Sequence, residues 1–204
     1  MAITISGSTG VTYPNGGVDN VAGAGVGTTD TQTLTNKTLG SGLVAGASLI
    51  TSGTAVATTS GTSVTFSSIP SWVKRITLSF AGVSVSGSSV PLVQIGDSSI
   101  KTTGYLGSSS TQSGTTTNLS SGFLIVDPNI ATAGRLWQGI LTIALLDSAT
   151  NKYVGTSKSG TSNSADGSSM GGYNTLTAVL SQLKLTTVNG TDTFTAGAVN
   201  ILYE

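Results

Sequence analysis

From about residue 51 onward, apolar and polar side chains alternate with a period of two. Ile76, Leu78 and Phe80 alternate with Thr77, Ser79 and Ala81, the pattern of a strand with one face in a core and one in water. A strand is therefore expected over 74–85, after the turn Ile69-Pro70-Ser71. Leu183 and Leu185 alternate with Gln182, Lys184 and Thr186, which predicts another over 179–188. Val199, Ile201 and Tyr203 place a last apolar face near the C-terminal end. Residues 91–96 read as a short strand ending at Asp97, and Phe123 to Val126 as an apolar run stopped by Asp127-Pro128-Asn129. Residues 54–59 and 62–66 flank Ser60-Gly61, a hairpin signal. Asn189-Gly190 suits a type I′ turn whose partner strand must start at once.

Residues 136–146 are the most apolar element. Leu141, Ile143 and Leu145 point one way, and Ile140, Ala144 and Leu146 the other. Burial on both faces is the expectation, as a central strand or with one face against a neighbouring subunit. Residues 147–152 read as a turn, and Tyr153-Val154 opens the next strand. No segment shows a capped apolar period of 3.6. About eight to ten short strands over roughly 150 residues predict an all-β fold, a jelly-roll-like β-sandwich. The Ser/Thr/Gly stretches 86–90, 107–122 and 155–172 read as surface loops. Loops on rigid β scaffolds often carry binding.

Residues 1–50 lack the alternation. Asn15-Gly16-Gly17 after Pro14 supplies turn chemistry. Gly23-Ala24-Gly25-Val26-Gly27 has too little side chain for a core. With no good strand before it and no helix after it, it is not a dinucleotide-binding fingerprint. Fully extended, such a segment spans up to ~165 Å at about 3.3 Å per residue. Residues 1–50 are expected to form an extended N-terminal arm that orders only against its copies or a docking site. Residues 51–204 form the β body.

Composition narrows the function. The 204 residues include 31 Ser, 34 Thr and 28 Gly, and 8 basic groups balance 8 acidic ones. No basic stripe exists to neutralise phosphates, so no nucleic-acid partner is expected. No apolar run approaches the ~20 residues that span a bilayer, so no membrane insertion is expected. The opening Met1-Ala2-Ile3-Thr4-Ile5-Ser6 has no basic n-region, and no signal peptide is expected. Low charge favours association, and a hydroxyl coat keeps the remaining surface hydrated.

The chain has no His and no Cys, which removes the Ser-His-Asp triad, the Cys-His pair and the usual zinc sites. No enzyme, no metal and no cofactor is expected. A carboxylate pair is the remaining catalytic route. Its candidates, Asp97, Asp127, Asp147, Asp166 and Asp192, each stand beside Gly, Pro, Ser or Thr and read as turn formers. The few aromatics are the better candidates. Trp72 lies between Ile69-Pro70 and Lys74-Arg75, where a sugar stacks if the ring is exposed; the competing reading is packing at a sandwich edge or subunit seam. Trp137 reads as core or seam. Tyr105 and Tyr173, in or near long polar loops, are expected ligand contacts. Lys74-Arg75 reads as a solvated strand face or an anion contact.

Two stretches carry a family resemblance. Thr31-Gln32-Thr33-Leu34-Thr35-Asn36-Lys37-Thr38-Leu39 resembles the TQTLTNKTL signature of bacteriophage tail-fibre and tail-spike proteins. Ser67-Ser68-Ile69-Pro70-Ser71-Trp72-Val73-Lys74-Arg75-Ile76 resembles the opening of a β domain common at the C-terminal end of phage tail-fibre-like proteins. Residues 94–97, 103–105, 146–148, 185–194 and 197–204 are similar to the same domain, so the resemblance covers most of the chain.

The resemblance implies a homotrimer. Its arm, with Leu34, Asn36, Lys37 and Leu39, would attach to other virion proteins of tail, collar or capsid. Its C-terminal domain would face the host. The expected function is a phage virion structural protein, a short trimeric tail fibre that binds the host surface, with surface glycan as ligand. The chain is short for a fibre, which leaves a second reading: a capsid head fibre, decoration or collar protein with no direct receptor role. A polysaccharide-degrading spike using Asp97 or Asp147 is a third.

Overall fold

The computed structural model describes residues 50–204 and the strands Thr4–Ser6 and Gly10–Thr12. The chain divides into two units, Met1–Ala47 and Ser48–Glu204. In the first, β1 (Thr4–Ser6) and β2 (Gly10–Thr12) pair antiparallel with Ile5 opposite Val11. The rest of the expected arm, including Leu34, Asn36, Lys37 and Leu39, lies outside the described residues.

The second unit is all β. In chain order its strands are β3 (Thr51–Ser52), β4 (Val56–Ala57), β5 (Ser63–Phe66), β6 (Arg75–Val85), β7 (Pro91–Gly96) and β8 (Leu106–Thr111). They continue with β9 (Thr116–Asn118), β10 (Phe123–Leu124), β11 (Trp137–Asp147), β12 (Lys152–Thr161), β13 (Gly167–Thr175), β14 (Gln182–Thr187) and β15 (Phe194–Tyr203). They form two antiparallel sheets. The larger has the order β3-β15-β6-β11-β12-β13-β8-β9, with β4 also on β15, and the smaller has the order β10-β7-β14-β5.

Alternation sets the inner faces. Ile76, Leu78 and Phe80 of β6, Leu141 and Ile143 of β11, and Val199 and Ile201 of β15 are buried. They share one hydrophobic cluster with Leu92, Val93 and Ile95 of β7 and with Leu183 and Leu185 of β14. β7 is buried along its whole length, as a central strand of the smaller sheet should be.

Several expectations need correction. Ser60-Gly61 turns the chain but closes no hairpin, because β4 pairs with β15 and β5 with β14, in different sheets. Gly190 closes a turn onto the Thr187 carbonyl, yet β15 begins only at Phe194 and pairs with β6, not β14. β11 is central, between β6 and β12, but buries a single face: Trp137, Leu141 and Ile143 point inward, while Ile140 is exposed and Leu146 is 64% exposed. No described element covers the outer side.

Residues 107–122 and 155–172, expected as loops, carry most of β8, β12 and β13 and all of β9. Serine occupies inner positions there because its hydroxyl is satisfied. Ser157 Oγ donates to the Leu124 carbonyl at 2.7 Å, and the Ser159 and Ser168 hydroxyls lie 2.9 Å apart. Asp127 completes this buried polar seam. Its carboxylate accepts from Ser109 Oγ at 2.6 Å, Asn129 N–H at 2.9 Å and Asn129 Nδ2 at 2.7 Å. It caps the single-turn 3-10 helix Pro128–Ile130.

Candidate functional site

The connection from β5 to β6 builds the site. Ile69 and Val73 are buried anchors. Ile69 N–H donates to the Ser181 carbonyl at 2.9 Å, and Val73 N–H to the Pro70 carbonyl at 3.1 Å, closing a tight turn. Pro70 opens this turn, and Ser71 and Trp72 are its two central residues. Held between these anchors, Trp72 stays 51% exposed. Its ring leans on Tyr203, with centroids 5.9 Å apart and planes tilted by 53°.

The end of β15 supplies the other wall. Lys74 and Arg75 N–H groups both donate to the Glu204 carbonyl, at 2.7 and 2.9 Å. Arg75 Nε donates to Glu204 Oε1 at 2.6 Å. Trp72, Lys74, Arg75 and Glu204 line an open cavity of about 430 Å³. The Lys74 ammonium has no ion-pair partner among the described residues. An aromatic face, an oriented guanidinium–carboxylate pair and an ammonium group suit a ligand with both apolar faces and hydroxyls. Tyr203 and Glu204 escaped sequence reasoning. Tyr203 reads as an ordinary inward strand residue, and the Arg75–Glu204 pairing emerges only once the register is known.

Tyr173 lies on the outer face of β13, 39% exposed, with Lys152 Nζ 5.4 Å from its ring centroid. Arg75, Ala144, Val154, Tyr173 and Leu106 form one cross-strand row over β6, β11, β12, β13 and β8. At ~4.8 Å per strand, Arg75 and Tyr173 stand about 14 Å apart at one end of that face. Tyr105 does not join them, which corrects the expectation for it. It is 1% exposed, accepts Ile95 N–H at 2.8 Å, donates to the Lys101 carbonyl at 3.0 Å and meets Phe123 edge-on. Burial pushes its hydroxyl well above the usual tyrosine range. Trp137 is core.

The five aspartates engage local partners. Asp127 caps the 3-10 turn, Asp147 accepts from Thr150 Oγ1 and Ala149 N–H, and Asp166 pairs with Arg135. Asp192 accepts from Ser89 N–H at 2.9 Å. Asp97 clasps two connections together by accepting from the Thr177 hydroxyl and from the N–H groups of Thr177, Ala178 and Ser98. The Thr177 hydroxyl, more than any other contact, holds its carboxyl well below the usual carboxylate range.

A depressed folded-state pKa gives stability that is complete above the unfolded value, about pH 4, and lost as pH falls toward the folded one. The wild-type melting temperature should therefore drop more steeply than that of Asp97→Asn between about pH 4 and pH 2. Parallel curves would show the clasp to be idle. Among the described residues no group of three or more His, Cys, Asp or Glu side chains is placed to hold a metal ion.

Comparison with protein-family models, curated proteins and solved structures gives no match for this chain.

Proposed function

We propose that this chain is a bacteriophage virion structural protein, a short trimeric tail fibre attached by its N-terminal arm. Its β body binds the host surface and catalyses no reaction. The observation that carries the binding half is the Trp72 corner: an indole held outward between two buried anchors, beside the Arg75–Glu204 pair and the Lys74 ammonium. Host glycan is the ligand class, since sugar rings offer apolar faces for the indole and hydroxyls for the charged pair.

The motif around Leu34, Asn36, Lys37 and Leu39 supports the attachment half. Two sheets sharing one apolar cluster fit a jelly-roll-like sandwich. Exposed Ile140 and Leu146 on β11 offer apolar surface for a trimer seam. Three identical sites raise avidity without strong single-site affinity.

Immunogold electron microscopy of the intact virus, with antibodies against residues 51–204, tests the assignment. Label at the tail or its fibres is expected. Label over the capsid would move the chain to the head-fibre, decoration or collar class and remove the receptor role.

A further inference from the structure

A second cavity lies on the outer face of the larger sheet, away from the Trp72 corner. On β12, β13 and β8 the inner positions are buried, while Thr156, Lys158, Ser169, Ser108 and Ser110 alternate outward. The register aligns them in two cross-strand rows, Thr156–Gly171–Ser108 and Lys158–Ser169–Ser110. Apart from Lys158, no side chain in either row exceeds threonine. A trough of about 440 Å³ lies on these strands, lined among others by Ser110, Gln112, Thr156, Lys158 and Ser169, and Gly171 and Ser108 adjoin it through the cross-strand register. No residue of the smaller sheet lines it, so it opens to solvent.

Gly171 is the informative residue. Glycine weakens a strand interior, and where it is kept something usually approaches the backbone closely. Its neighbours have internal reasons. A Cβ on Gly155 would meet Phe123 at 2.8 Å, and one on Gly172 would meet Leu119 at 2.3 Å. Gly171 alone among the described glycines has a φ outside the left-handed region and open space where a Cβ would stand. Neither the backbone conformation nor packing among the described residues requires it, and its backbone lies open to a group approaching from outside the sheet.

The lining names the ligand's chemistry. Hydroxyls donate and accept, and the Ser110 and Ser169 hydroxyls lie 3.1 Å apart, spanning the strands. Lys158 is the one charge in the trough, and no acid occupies an outward position of β12, β13, β8 or β9. Gln112, whose Nε2 lies over Gly167, stands at one end. Tyr173 stands beyond the other, two residues past Gly171 on the same face. From Ser169 to Tyr173 the run is about 14 Å at 3.4 Å per residue.

We propose that this trough binds a linear polysaccharide bearing carboxylate groups, laid along β13 over Gly171 with an acid group at Lys158. This deepens the glycan reading by naming the ligand class, but it uses residues separate from the Trp72 corner.

The test is surface plasmon resonance of the full chain on immobilised alginate, polygalacturonate, hyaluronate and polysialate, with pullulan as the neutral control. Binding to at least one acidic polymer and not to pullulan is expected. Gly171→Leu should weaken that binding about tenfold or more, and Lys158→Gln should weaken it and flatten its salt dependence. A Cβ at Gly171 meets nothing within 4 Å, and Lys158→Gln provides a second variant that adds no bulk. No binding to any acidic polymer, or binding that both variants leave intact, would overturn the trough. If Trp72→Ala alone abolishes binding, the corner stands and the trough falls. If the trough variants alone abolish it, the reverse holds.

Discussion

Trp72→Ala is expected to weaken binding of the full chain to host-surface glycan by about 30-fold, while the melting temperature falls by no more than ~6 °C. The two effects separate because the indole does little for the fold. Half of it faces solvent, and its one ring contact is the tilted approach to Tyr203. Such a pair is worth about 0.5–1.5 kcal/mol. The turn that presents it is held by Ile69 and Val73 and by their backbone hydrogen bonds, none of which the substitution touches. On the binding side, truncating an interfacial Trp anchor typically costs about 2 kcal/mol or more, which corresponds to ~30-fold in affinity. Calorimetric melting beside glycan binding checks both halves. A large fall in melting temperature would make Trp72 a structural residue.

The largest expected effect on stability is at Asp127. Its carboxylate is fully buried and accepts three hydrogen bonds, from Ser109 and from the backbone and side chain of Asn129. Its own N–H donates to Ser168 Oγ at 3.2 Å, and Ser168 continues the chain of hydroxyls to Ser159. Asp127→Ala leaves the buried Ser109 hydroxyl without its acceptor and removes the cap from Asn129, which is exposed and keeps its side-chain bond to Thr117 Oγ1. With each hydrogen bond to a charged group worth about 1.5–3 kcal/mol, the loss should be roughly 3–5 kcal/mol, or about 10 °C in melting temperature. Asp127→Asn keeps one acceptor oxygen but turns an amide donor toward groups that already donate, so an intermediate loss is expected. Denaturant unfolding of the three proteins checks the order. A loss below ~1 kcal/mol for Asp127→Ala would mean that water relieves the seam.

Asp127 also marks the limit of what the sequence revealed. Beside Pro128 it reads as an ordinary turn former. It does cap a turn, but its burial depends on Ser109 and Ser168, which come from two hydroxyl-rich stretches with no apolar signal. A strand whose inner positions are serines looks like a loop by composition, which is why β8, β13 and the part of β12 beyond Val154 were hidden. Where the inner residues were Ile, Leu and Phe, as in β6 and β14, alternation located both the strand and its buried face.

β11 is the opposite case, central in its sheet but buried on one face within the chain. Ile140 and Leu146 look like core residues, yet they lie on the uncovered side of the sheet. Hydropathy reports the need for a partner and not where the partner stands. The site was half legible for the same reason. Trp72 and Lys74-Arg75 are adjacent in the chain, whereas Glu204 and Tyr203 join them only through the pairing of β15 with β6. Tyr173 was legible as a surface aromatic. Tyr105 was not legible as core, because its burial follows from the two backbone partners of its hydroxyl.

Host attachment has a direct readout. Cells are incubated with excess purified full-length protein before infection by the virus whose particle carries it, and plaques are counted. Because the protein would occupy the receptor, plaques should fall by about tenfold or more with the wild-type chain and change little with Trp72→Ala. A plaque count that the wild-type chain leaves unchanged would contradict host binding.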